Sequence, residues 1–110
     1  MESDMFKHIW DRSAHYSFIS GIPIRVPTPA NFAHVLSKAV NRYPHFRLNP
    51  ANIVLVTQEE HTLIDHGTDK LREAYCRRIT TASFNPFYKK EAELKKLYES
   101  MYKDLTDSDY

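Results

Sequence analysis

Residues 32–67 read FAHVLSKAVNRYPHFRLNPANIVLVTQEEHTLIDHG, two short apolar runs followed by an amphipathic segment. The first run holds a histidine, His34. The second, Ile53-Val54-Leu55-Val56, is β-branched and apolar, as a buried strand requires. Thr57 then offers an N-cap, and Glu60, three residues later, completes a capping box. The helix so opened is expected from Gln58 to His66, with Gly67 as its stop. The unit is strand, loop, strand, helix, with His34, Asn52 and His61 on successive elements.

Working outward toward the N-terminus, Met5 to Trp10 reads as a short helix capped by Asp4, with Phe6, Ile9 and Trp10 on one side. Tyr16 to Ile19 and Ile22 to Val26 read as two short strands turning at Ser20-Gly21, an N-terminal hairpin. Pro27-Thr28-Pro29 breaks the chain before the central unit. On the other side, Thr68 can cap a helix over Asp69 to Ile79, its apolar face formed by Leu71, Ala74, Tyr75 and Ile79. Thr80 to Phe84 reads as a linker. Asn85-Pro86 opens a last helix to about Leu105, striped by Leu94, Leu97, Tyr98, Met101 and Leu105. The expected class is α+β: one domain over 1–110, with a core at 32–68 and a C-terminal helical extension at 69–105.

Composition narrows the function classes. A chain of 110 residues with 42% hydrophobic and 26% charged residues suits one globular domain. No apolar run approaches the roughly 20 residues that a membrane helix needs. The one cysteine, Cys76, cannot form an internal disulfide or a cysteine-based zinc knuckle, and a cytoplasmic setting is the simple expectation. Net charge is only +1, but it is unevenly spread. Residues 68–103 carry nine basic and five acidic groups, whereas residues 1–67 carry six of each. Such a half suits contact with a phosphate backbone, or simply solvated helix faces.

The order of these residues resembles the HNH endonucleases, whose fold is a β-hairpin packed on a helix around one divalent metal. The resemblance covers at least Phe32 to Thr68 and extends back through Phe6-Lys7-His8-Ile9-Trp10 and His15 to Gly21, which are similar to the lead-in of small phage-type members. It implies a ββα-metal core with His34 as general base, Asn52 as the middle asparagine of the motif and His61 as the closing metal ligand. Asp65, four residues after His61, falls where the family places a further ligand. The residue before the base is usually Asp, Glu or His and binds metal; here it is Ala33.

The chemistry explains these residue types. Phosphodiester hydrolysis needs a deprotonated water, and a neutral histidine titrates near working pH. It also needs the phosphoryl and leaving oxygens stabilised, which one divalent ion can do. His61 and Asp65 lie one helical turn apart, on the same face, and such a nitrogen and oxygen pair suits Mg²⁺, Mn²⁺, Zn²⁺ or Ni²⁺. His66 stands about 100° round the helix from Asp65 and is given no ligand role. Asn52 would bond across the loop and hold the His34 segment in register, or approach the metal. That loop, Ser37 to Asn49, interleaves Lys38, Arg42 and Arg47 with Tyr43 and Phe46. Its cations suit phosphate positioning, with Lys38 nearest to His34, or are solvated while the aromatics anchor the loop.

Two functions follow. One is a metal-dependent DNA endonuclease or nickase of phage or mobile-element type. The other is an HNH-fold module that binds DNA or protein, its catalysis weakened or lost at Ala33. DNA is the expected partner and no membrane is implied; the oligomeric state is open.

Overall fold

The computed structural model describes residues 2–36 and 50–108, with side chains over 4–36 and 50–100. The chain opens with α1 (Glu2–Arg12) and reaches β1 (Phe32–His34) through the 3₁₀ turn Pro29–Asn31. A second such turn, Pro50–Asn52, leads into β2 (Ile53–Leu55). Three helices follow: α2 (Gln58–His66), α3 (Asp69–Arg78) and α4 (Asn85–Ser108). The fold is therefore mixed α+β, with one antiparallel strand pair among the described residues.

Register in that pair matches Phe32 to Leu55, Ala33 to Val54 and His34 to Ile53. Every one of these residues is buried. Strand pairs solvated on one face alternate apolar and polar residues, whereas one covered on both faces reads as a continuous apolar run. Both faces are covered here. Ile9 and Ile24 gather with Phe32, Ile53 and Leu55 on one side, and Met5, Phe6 and Trp10 of α1 pack against them. The Phe6 ring stacks on Phe32 with centroids 4.4 Å apart. On the other side Ala33, Val54 and Val56 join Tyr75 of α3 and Phe87 and Leu94 of α4.

The central helix forms as its residues require. Thr57 and Glu60 make the reciprocal capping box, and α2 runs from Gln58 to His66. It packs against β1 and the first 3₁₀ turn. Gly67 ends it by a different means from the left-handed glycine cap. Its φ of −77° is ordinary, but a Cβ there would strike the Leu63 carbonyl oxygen and lie 2.9 Å from Leu63 Cα. Glycine is needed for close approach to the preceding turn.

The N-terminal hairpin is shorter than its sequence signal. Tyr16 and Pro23 form an isolated antiparallel bridge in place of two strands, and Phe18 to Ser20 are turn. Two hydroxyls explain the contraction. Ser17 Oγ accepts from the backbone N–H groups of Ile19 and Ser20, and Ser20 Oγ accepts from that of Ile22. Amides that a longer ladder would use are taken by side chains, and Gly21 closes the turn at φ 74°. Elsewhere, α1 begins at Glu2, so that Asp4 lies inside it instead of capping it.

On the last helices part of each expected apolar face packs inward, Tyr75 and Ile79 from one and Leu94 and Tyr98 from the other. Tyr75 is buried on α3, but Leu71 is 54% exposed and Ala74 is exposed. Leu94 is buried on α4 and Leu97 is exposed. Phe84, in the supposed linker, is instead a buried core residue. No helix among the described residues is long and apolar enough to cross a membrane.

Candidate functional site

The first turn of α2 is fixed by a buried carboxylate. Glu60 is fully buried, and its side chain accepts from Thr57 N–H at 2.8 Å, Tyr75 O–H at 2.5 Å and Ser17 O–H. An ionised carboxylate offers only acceptors, and these three donors come from the helix cap, α3 and the N-terminal turn. Burial, and then the bond to Glu60, push the Tyr75 hydroxyl up to about 12, so it stays a donor at neutral pH. The network ties α2 to its neighbours one residue before His61.

His61 is half-buried and held at both ring nitrogens. Nδ1 lies 2.7 Å from the Ala30 carbonyl in the 3₁₀ turn, and Nε2 lies 3.1 Å from Asp65 Oδ2. A carbonyl can only accept, so Nδ1 carries the proton and donates. Nε2 is thus presented toward the carboxylate. Imidazoles that bind metals are oriented this way, by a backbone carbonyl or carboxylate on the other nitrogen. An imidazole lone pair and a carboxylate oxygen at this separation need a proton or a cation between them. The contact is an i,i+4 His–Asp pair, and its nitrogen and oxygen are donor types that divalent ions take. Among the described residues no group of three or more His, Cys, Asp or Glu side chains is placed to hold a metal ion.

These residues border a cavity of about 440 Å³. His34 from the end of β1 contributes to its wall, as do His61, Asp65 and His66 from α2, Arg72 from α3, and Phe87, Tyr88 and Glu91 from α4. The structure thus brings His34, His61 and Asp65 to one concavity. Asn52 stands behind it. Its Oδ1 accepts from Leu36 N–H at 2.6 Å, its Nδ2 donates to Leu36 C=O at 3.2 Å, and its own carbonyl accepts from Val35 N–H at 2.8 Å. The side chain closes the base of the loop and fixes the backbone directly after His34. Ala33 has no exposed surface and lies in the apolar cluster beneath α3 and α4.

No family model matches this sequence, and no curated protein or solved structure is significantly similar to it.

Lys38, Arg42 and Arg47 lie outside the described residues. The sequence reading passed over other residues of the cavity. His66 borders it although it stands round the helix from Asp65, because the wall wraps the last turn of α2. Arg72, Tyr88 and Glu91 come from helices beyond the motif, and nothing local in the sequence ties them to His61.

Proposed function

We propose that the chain is a small metal-dependent endonuclease that hydrolyses DNA phosphodiester bonds on a ββα-metal core. The observation that carries this reading is the His61 imidazole, donated at Nδ1 to Ala30 and turned at Nε2 onto Asp65. Such a ring is prepared for a cation, and it borders the same cavity as a histidine on the neighbouring strand.

In this reading His61 and Asp65 hold one divalent ion, Mg²⁺, Mn²⁺, Zn²⁺ or Ni²⁺. A bound ion would supply Lewis acidity toward a phosphoryl oxygen and the leaving oxygen. His34 takes the proton of the attacking water, and Asn52 keeps that strand end in place through Leu36. Lys38, Arg42 and Arg47 contact phosphates beside the scissile bond, positioning the strand without reading its sequence.

A second reading is favoured by Ala33. Its burial among apolar side chains, with no group of three ligands among the described residues, supports an HNH-fold module that binds DNA or protein without efficient catalysis. Calorimetric titration with Mn²⁺ or Ni²⁺ separates the two. The nuclease reading expects one saturable site in the wild type and its loss in His61→Ala. Absence of binding in the wild type, or equal binding in the two proteins, would overturn it.

A further inference from the structure

Arg72 lies outside the 32–68 core, yet it reaches back to the helix that carries both proposed ligands. Its Nε donates to Leu63 C=O at 3.0 Å and its Nη2 to Ile64 C=O at 3.1 Å. Both carbonyls belong to the last turn of α2, where backbone acceptors run out of partners within the helix. Leu63 C=O also accepts from Gly67 N–H at 3.0 Å, and Ile64 immediately precedes Asp65 in the chain. The same guanidinium donates through Nη1 to Tyr88 O–H at 3.1 Å. It lies over the Phe84 and Tyr88 rings, 5.4 and 5.7 Å from their centroids. A planar, rigid fork can serve two carbonyls and two ring faces together, and a lysine cannot. Its positive charge also complements the negative end of the α2 dipole.

We propose that Arg72 is a positioning residue for the His61–Asp65 pair: it locks the last turn of α2 against α4 and so fixes where the Asp65 carboxylate stands relative to His61 Nε2. The proposal rests on the metal-site reading above. Asp65 is half-exposed, and its carboxylate meets His61 one turn earlier on the same helix. Its placement therefore depends on the backbone of that turn, which Arg72 holds at two consecutive carbonyls. The C-terminal helices thereby become part of the site.

The test uses the full chain and Mn²⁺ alone, with affinity read by calorimetry and the Gly67 amide read by hydrogen exchange. Arg72→Lys keeps the charge and gives up the fork. It should weaken Mn²⁺ binding by about tenfold, the low end of what oriented support around a metal ligand is worth, and speed exchange at Gly67. Tyr88→Phe removes only the bond to α4 and should cause a smaller loss in the same direction. It also stands in should Arg72→Lys fail to fold. Weaker binding in the folded variants supports the proposal. Faster exchange at Gly67 with unchanged Mn²⁺ affinity would overturn it and leave the metal site standing. A wild type that binds no Mn²⁺ would overturn the metal site itself, and this proposal with it.

Discussion

Asn52 makes two hydrogen bonds with one residue, to the N–H and the C=O of Leu36, and both residues are fully buried. Replacing it with alanine strands the two Leu36 backbone groups away from water. Leaving a buried donor or acceptor unpaired costs about 1–3 kcal/mol. Urea unfolding of Asn52→Ala should therefore show a loss of at least that size, and a midpoint equal to the wild type's would mean that the pair is dispensable. The cross-loop bond was one of two roles that the sequence left open for this asparagine, the other being an approach to the metal. Glu60 was legible only in part. A capping box is local and shows at fixed spacing, whereas the Ser17 and Tyr75 hydroxyls approach from 43 and 15 residues away. Ala33 stood out only against the pattern of the resembled family, and the structure adds where it lies: in the apolar cluster under α3 and α4.

Among the elements, α2 follows most directly from its residues, since Thr57, Glu60 and Gly67 fix its ends. The glycine makes a prediction of its own. Gly67→Ala keeps an allowed backbone conformation but drives a methyl group into the Leu63 carbonyl. Crowding of that kind typically costs about 1–3 kcal/mol. Thermal denaturation should show Gly67→Ala melting below the wild type, and an unchanged or raised midpoint would contradict the steric account. The N-terminal hairpin was over-read for an equally local reason. Its apolar residues alternate as strands do, but Ser17 and Ser20 take the amides that a ladder would need. On α3 the 3.6-residue period alone could not choose the buried face. Tyr75 reaches inward to Glu60 and Ile79 packs on the core, whereas Leu71, on the same face one turn before Tyr75, lies in the exposed first turn.

At the scale of the molecule, the strand pair is a thin layer between α1 on one face and the C-terminal helices on the other. That sandwich explains why the second strand reads as an unbroken apolar run. It also explains why so much of the cavity escaped the sequence: Arg72, Phe87, Tyr88 and Glu91 arrive by tertiary packing of helices whose own patterns say only that they are amphipathic. The α+β class was legible; His34, His61 and Asp65 were singled out by the family resemblance, and all three border one concavity. The proposed function assigns phosphodiester hydrolysis to this concavity. Its most direct test is the relaxation of supercoiled plasmid by the wild type and His34→Ala, side by side, with Mn²⁺ and with chelator. Nicking by the wild type should need the metal, and His34→Ala should lose about 10²–10⁴ in rate, the usual worth of a positioned general base. Metal-dependent nicking that His34→Ala retains in full, or no nicking by the wild type with Mn²⁺, would contradict it.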